Sequence, residues 1–268
     1  MPKALKYLTF LNLLFILFIS LSGFAGGVLG SVIYYLAFIV PVALSFVLKR
    51  GKSVPFSAPS MKISPENLGL TLTLTAPVLA AVFFISWLTS LLLSLFGGEN
   101  VTDVSGNIFK VIFTHAVLTS VLEEALFRYV PIAFLAPYSK KYAVIFSAFF
   151  FAFAHCNLYQ IPYALAAGIA FAALDIATGS IIPSLLLHFL NNLISIFWLK
   201  GMGDGTFVMT YVIALSTLTV LSLILVFILR KKYARKLSFM RDAEGCVALS
   251  YEPLLFFATT LFVALLSL

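Results

Sequence analysis

Two adjacent glutamates and an arginine lie inside a long apolar stretch of this 268-residue chain. Glu123, Glu124 and Arg128 fall within a run from residue 108 to 135 that is otherwise largely hydrophobic. An ionisable group in hydrocarbon costs about 3 kcal/mol or more, so such groups normally pair inside a helix bundle or line a wet cavity. The three residues are therefore candidates for a functional site; the alternative is that they are polar contacts that hold helices together.

Helical geometry separates the two carboxylates. Glu124 and Arg128 are one turn apart on the same face, in the order that favours an ion pair. Glu123 is rotated by about 100° from that pair and has no basic residue within a turn. We expect Arg128 to neutralise Glu124, and Glu123 to be the carboxylate that can act as a base.

Further polar side chains lie in later apolar runs. Counting about 1.5 Å per residue from the cytoplasmic end of each run predicts a central depth, between about 10 and 21 Å, for Glu123, His155, His188 and Asn192. His188 and Asn192 share a helix face, so they can present two hydrogen-bond donors to one oxygen. A carboxylate with one histidine, facing a second histidine with an amide, can activate water and stabilise an oxyanion. Singly, each could be an interhelical contact, which is how we interpret His115; the same alternative applies to Asn191.

The elements that position these residues are membrane helices. The composition is 62% hydrophobic and 10% charged with a mean hydropathy of +1.10, against about a quarter charged in soluble proteins. Apolar runs of about 20 residues suffice to cross a membrane. Eight or nine such runs occur, at about residues 7–24, 28–48, 68–95, 108–135, 142–157, 160–177, 181–199, 207–229 and 247–268.

These runs predict an all-α, polytopic transmembrane helical bundle. We expect one integral membrane domain over residues 1–268, with a motif-bearing core at about 108–199 and a basic cytoplasmic loop at about 230–245. Cys156 and Cys246 cannot plausibly reach each other and predict no disulfide framework.

The positive charges predict the orientation. If each run crosses once, 14 of the 17 Lys and Arg residues fall on one side, which the positive-inside rule makes cytoplasmic. We therefore expect a multi-pass protein of the cell membrane, with a cytoplasmic N-terminus if the first helix is retained. The first run could instead be a cleaved signal peptide. The basic segment after the eighth run favours contact with anionic membrane lipid over nucleic acid.

The candidate residues belong to four motifs that follow one another along the chain: Glu123-Glu124-x-x-x-Arg128, Phe151-x-x-x-His155, Thr178-Gly179-Ser180-x-x-Pro183 and His188-x-x-x-Asn192. Together they resemble the motif set of the CAAX prenyl protease and bacteriocin-processing (CPBP) family, whose eukaryotic members are the type II CAAX endopeptidases. The resemblance runs from Glu123 to Asn192, about a quarter of the chain.

The resemblance implies a glutamate-type intramembrane endopeptidase without a bound metal or other cofactor. The implied roles are water activation by Glu123 and His155, an oxyanion hole from His188 and Asn192, and support of the helix and its charge by Glu124 and Arg128. The implied partner is a lipidated or membrane-tethered peptide, from which three C-terminal residues are removed after a prenylated Cys.

Four other interpretations were weighed against this one. His155, His188 and a glutamate could hold zinc with an open position for water, although no His-Glu-x-x-His helix is present. A non-enzymatic immunity or scaffold protein of the same fold would use the polar cluster only to join helices. A transporter would usually show internal repeats or paired broken helices, which we do not find.

The fourth is an aspartyl protease. Gly201-Met202-Gly203-Asp204 imitates the Gly-x-Gly-Asp element of intramembrane aspartyl proteases, with Asp175 as the second acid. One predicted crossing separates the two aspartates, so they cannot share a proton as a dyad does.

Overall fold

The protein is a bundle of helices. The computed structural model describes residues 1–51, 54–95, 105–201 and 203–240. Within these ranges the helices are Pro2–Ala25 (α1), Gly27–Arg50 (α2), Pro65–Ser94 (α3), residues 108–135 (α4), Lys140–Ala154 (α5), Ile161–Thr178 (α6), Ile182–Gly201 (α7), Gly205–Ile228 (α8) and Arg230–Lys236 (α9), followed by a 3-10 turn at Ser238–Met240.

This architecture confirms the predicted all-α polytopic bundle. The first eight predicted runs correspond to α1–α8. The ninth run at 247–268, Cys246 and the end of the basic loop lie outside the described residues. Six of the described helices, α1, α2, α3, α6, α7 and α8, are long and apolar enough to cross a membrane. The chain is therefore a multi-pass membrane protein.

Helix α5 ends earlier than its apolar run predicted. It has 15 residues and ends at Ala154, so at about 1.5 Å per residue it is shorter than a membrane core of about 30 Å. His155 is the C-cap residue, and Cys156 has a φ of 46°. That left-handed conformation ends the helix. The expectation that His155 lies within a helix was therefore wrong, because the chain turns immediately after it.

Helix α4 is continuous but not uniform. Two π-helical segments, Ile112–Leu118 and Ala125–Tyr129, flank the turn Thr119–Glu124 that carries the glutamates. Pro131 has no N–H and cannot make the i→i−4 bond to the Phe127 carbonyl. This carbonyl accepts from the Ser147 hydroxyl of α5 at 2.5 Å and from the Arg128 guanidinium at 3.2 Å. The helix therefore continues through Pro131 instead of ending there.

The largest core cluster joins α1 and α2 to α4 and α5. Leu5, Leu8 and Leu11 of α1 are buried, as are Phe127 of α4 and Phe150 of α5. Helix α1 thus packs as a member of the bundle, with a buried face directed at the helices that carry the candidate site.

The connection between α2 and α3 crosses one end of the bundle. We call residues 54–64 the strap. The Ser57 N–H donates to the Ala133 carbonyl at 2.9 Å. The Ser60 N–H donates to the Gly179 carbonyl at 2.8 Å, and the Ser60 carbonyl accepts from Ile181 at 2.9 Å. The strap therefore joins the end of α4 to the turn between α6 and α7.

The basic helix α9 lies at this same end. The Lys236 ammonium donates to the Asn67 amide oxygen at 2.6 Å, and the Asn67 amide donates to the Thr178 carbonyl at 3.0 Å. Lys232 and Lys236 each lie 3.4 Å from a carboxylate oxygen of Glu66. The end of the bundle that carries the strap thus also carries the basic segment that follows α8, as alternate crossings require.

Candidate active site

His188 of α7 bridges the two glutamates of α4. Its Nδ1 lies 2.6 Å from Glu124 Oε1, and its Nε2 lies 3.6 Å from Glu123 Oε2. Glu124 is fully buried, whereas the Glu123 side chain is 14% exposed. A carboxylate accepts hydrogen bonds, so with an ionised Glu124 the shared proton lies on Nδ1 of the imidazole. The two glutamates thus differ in access, and one histidine contacts both.

Arg128 balances the buried charge of Glu124. Its Nε lies 3.6 Å from Glu124 Oε2, and both side chains are fully buried. This confirms the predicted pairing, although the distance is longer than a hydrogen bond. The guanidinium carbon also lies 4.2 Å from the centre of the Phe151 ring, a cation–π contact that strengthens when water is excluded.

Phe151 of α5 connects His155 to the rest of the site. The His155 Nδ1 lies 2.8 Å from the Phe151 carbonyl, one turn earlier in the chain. The Phe151 ring lies edge-on to both imidazoles, at centroid distances of 4.9 Å from His155 and 5.4 Å from His188. Because a carbonyl only accepts, the Nδ1 of His155 carries the proton, and the Nε2 of the neutral ring is an acceptor.

Asn192 lies one turn beyond His188 and is tied back to α4. Its amide nitrogen donates to the His115 carbonyl at 3.0 Å, which uses one of the two amide hydrogens. His115 belongs to the first π-helical segment. The contact with α7 is made by its backbone carbonyl, so the interhelical role of its side chain stays a prediction. The Asn191 amide donates to the Asn192 oxygen at 3.4 Å, so Asn191 supports Asn192.

Sequence reasoning missed several residues around this cluster. The rings of Tyr34 on α2 and Tyr163 on α6 lie within electrostatic reach of Glu123. The Ser184 N–H of α7 donates to the buried Asp175 carboxylate at 3.0 Å. Asp175 could have been predicted as a functional residue, since it is an acid inside an apolar run. The sequence analysis considered it only as a partner for Asp204.

The two aspartates of the aspartyl-protease interpretation lie at opposite ends of α7. Asp175 contacts the start of α7, whereas Asp204 follows its end and accepts from the Thr206 and Phe207 N–H groups that open α8. Asp175 and Asp204 therefore do not form a catalytic dyad in this structure. Across the described ranges, no three His, Cys, Asp or Glu side chains are grouped as metal ligands.

Comparison with protein families matches residues 105–194 to the type II CAAX prenyl endopeptidase Rce1-like model. The segment that carries the candidate site is therefore similar to the CAAX protease family. The matched segment covers about a third of the chain and includes every residue from Glu123 to Asn192. Comparisons with curated proteins and with solved structures find no match.

The match supports an intramembrane protease of the CAAX type in general, and thus a hydrolase. Proteases of this family act on membrane-associated prenylated proteins. The matched segment runs from α4 into α7, while α1–α3 and α8 lie outside it.

Proposed function

We propose that this protein cuts a peptide bond directly after a prenylated Cys and releases the C-terminal tripeptide, using water activated by glutamate and histidine without a metal. The observation that carries this proposal is the contact of His188 with both α4 carboxylates. Through this contact the more accessible carboxylate of Glu123 and the buried carboxylate of Glu124, which Arg128 neutralises, meet the same imidazole inside the matched segment. Such pairs of acids in different environments are typical of general acid–base sites.

Glu123 is the proposed general base. It is the more accessible of the two carboxylates and is not bound to Arg128, which lies beside Glu124. His155 assists at the same water, because its Nδ1–H is used by the Phe151 carbonyl and its Nε2 remains as an acceptor. The side chain of Phe151 separates His155 from His188 and fixes the spacing between the proposed water and oxyanion sites.

His188 and Asn192 are the proposed oxyanion donors. His188 is proposed to donate through Nε2, the ring nitrogen on the side of the more accessible carboxylate of Glu123, while Nδ1 is held by the buried Glu124. The second amide hydrogen of Asn192 supplies the other donor. Donors fixed in advance at the position of the developing charge are usually the largest single contribution to catalysis.

The proposed reaction balances within these groups. Glu123 removes a proton from water as the oxygen bonds to the scissile carbonyl carbon, and the carbonyl oxygen becomes an oxyanion. Collapse of this intermediate breaks the C–N bond, and the proton held by Glu123 passes to the leaving amine. The lipid chain of the substrate stays in the membrane, and we place the site in the cell membrane with access from the cytoplasmic side.

The test is cleavage of a fluorogenic farnesylated peptide ending in a CAAX sequence by the purified protein in detergent. We expect Glu123→Gln to lower kcat by about 100-fold to 10,000-fold, the usual contribution of a general base. Glu66→Gln is the matched control, since Glu66 is half-exposed and pairs with Lys232 and Lys236 away from the site. Its activity should equal that of the wild type, and a strong chelator should change neither.

Each other outcome contradicts a specific part of the proposal. Chelator-sensitive cleavage would favour the zinc protease over the glutamate mechanism. Full activity of Glu123→Gln would remove Glu123 as the base. A folded wild-type protein that cuts neither prenylated nor unprenylated peptides would favour an immunity or scaffold function for this fold.

A further inference from the structure

A second buried acid lies behind the proposed site. Asp175, near the end of α6, is fully buried, and its Oδ1 accepts from the Ser184 N–H of α7 at 3.0 Å. The carbonyl of the same residue accepts from the Ser180 N–H at 3.1 Å. Asp175 therefore holds both the turn between α6 and α7 and the first turn of α7.

This contact caps α7 from a neighbouring helix. The first N–H groups of a helix have no partner within it, and a carboxylate at that end interacts favourably with the helix dipole. The Ser180 hydroxyl accepts from Ile182 N–H at 3.2 Å, and Asp175 satisfies Ser184 two residues further on. The capping acid is supplied by α6, so it fixes the position of α7 relative to α6.

The capped turn leads directly to His188. Ser184 is one turn before His188 and on the same face of α7. The Ser184 hydroxyl donates to the Ile181 carbonyl at 3.0 Å and lies within reach of the carboxylates of both Asp175 and Glu124. Glu124 in turn contacts His188 Nδ1 at 2.6 Å. A continuous series of buried polar groups thus connects the end of α6 to the imidazole.

We propose that Asp175 is a positioning residue, which sets the location of the His188 imidazole through the Ser184 N–H and the first turn of α7. As a statement about catalysis this rests on the proposed function of His188. Asp175 does not touch substrate; it acts on the residue that does. A displacement of about 1 Å at a catalytic group can cost about 100-fold in rate, which is the scale of effect expected here.

The experiment compares three variants of the full chain in detergent. Asp175→Ala removes the acceptor, whereas Asp175→Asn keeps an oxygen for the Ser184 N–H. Asp204→Ala is the matched control because Asp204 also caps a helix with its carboxylate, but at the start of α8, beyond the far end of α7. We expect Asp175→Ala to lower kcat for the farnesylated peptide by about 10-fold to 100-fold with little change in KM. Asp175→Asn should restore most of the rate, and Asp204→Ala should keep it.

A spectroscopic readout separates this proposal from the proposed function. In protein with ¹⁵N-labelled histidines, the Nδ1–H proton of His188 should shift in Asp175→Ala and keep its wild-type position in Asp204→Ala. Assignment uses His188→Gln. An unchanged His188 signal in folded Asp175→Ala would overturn the positioning role whether or not any peptide is cleaved. Equal loss of kcat in Asp175→Ala and Asp204→Ala, or failure of Asn to restore the rate, would overturn it as well.

Discussion

At the scale of single residues, the site depends on charges that cancel. Glu124 and Arg128 are fully buried next to each other, and the Arg128 Nε and Nη2 have no hydrogen-bond partner among the described residues. The Phe151 ring and the Glu124 charge are therefore the main compensation for burying the guanidinium. Removing one partner of such a pair costs more than the pair contributes, because the other charge stays buried and uncompensated.

The prediction concerns the free energy of unfolding of Glu124→Gln. We expect a loss of about 3 kcal/mol or more, since Arg128 loses its counter-charge while the glutamine still offers an oxygen to His188. The double variant Glu124→Gln/Arg128→Met should lose clearly less than the sum of the two single variants, because the uncompensated charge is gone. Thermal or denaturant unfolding in detergent measures all three.

The exposed control for this charge change is Glu66→Gln, which should leave the free energy of unfolding close to that of the wild type, as is typical for surface ion pairs. Strictly additive losses in the double variant would contradict the coupling of Glu124 with Arg128.

Local spacing predicted part of this site and not the rest. The i,i+4 relation of Glu124 and Arg128 follows from helix geometry alone, so it could be derived from sequence. The contact of Glu124 with His188 joins positions that are 64 residues apart, and no local period specifies which of two adjacent carboxylates meets a given imidazole. The depth estimate placed Glu123 near His188, and the two are 3.6 Å apart, but it could not place the ring of Phe151 between the histidines.

At the scale of helices, α5 and α6 pack closely beside the site. A Cβ added to Gly168 of α6 would lie 2.9 Å from the Ala148 Cα of α5, a distance that real Cβ atoms do not reach. Small residues that allow such close approach are typical of membrane helix interfaces. The alanines and the glycine of α6 supply such a surface. Ala148 is three residues before Phe151, so this contact also sets the position of the Phe151 ring.

The prediction is that Gly168→Ala destabilises the protein even though alanine is the better helix former. The added methyl group meets backbone atoms of α5, which cannot rotate away, and overpacking of this kind costs about 1 to 3 kcal/mol. Gly69→Ala is the control, because Gly69 lies in α3 with no neighbouring heavy atom within 4 Å of a new Cβ. It should be neutral or stabilising by up to about 1 kcal/mol.

Melting temperatures in detergent measure both variants, and the cleavage rate of Gly168→Ala reports any displacement of Phe151. A wild-type melting temperature for Gly168→Ala would contradict the close contact of α5 with α6.

Hydropathy predicted the positions of the helices but not their irregularities or the exact end of α5. Hydropathy located α1–α8 because each is an apolar run bounded by polar or turn residues. The two π-helical segments of α4 have no such signal, since they arise from how the helix fits its neighbours rather than from the order of apolar residues. The early end of α5 depends on the backbone of Cys156, a residue type that does not predict a left-handed conformation.

At the scale of the whole molecule, the strap and the basic helix α9 lie at the same end of the bundle, where they bind the ends of other helices. The strap binds the ends of α4 and α6, and α9 binds the start of α3 through Asn67 and Glu66. Glu66 thus pairs with basic residues from a part of the chain that is distant in sequence. The same segments are the ones that charge counting assigns to the cytoplasm.

The last prediction tests this orientation in cells. Lys62, in the strap, and Gly203, between α7 and α8, are both exposed. They lie at opposite ends of the bundle, since five helices of alternate direction, α3 to α7, separate the two connections. In a background with Cys156→Ala and Cys246→Ser, single cysteines are introduced as Lys62→Cys and Gly203→Cys. Because the positive-inside rule predicts that the basic end is retained in the cytoplasm, a membrane-impermeant maleimide should label Gly203→Cys in intact cells and Lys62→Cys only after permeabilisation. The reverse pattern would place the strap and the entrance we propose for prenylated substrates on the outer face.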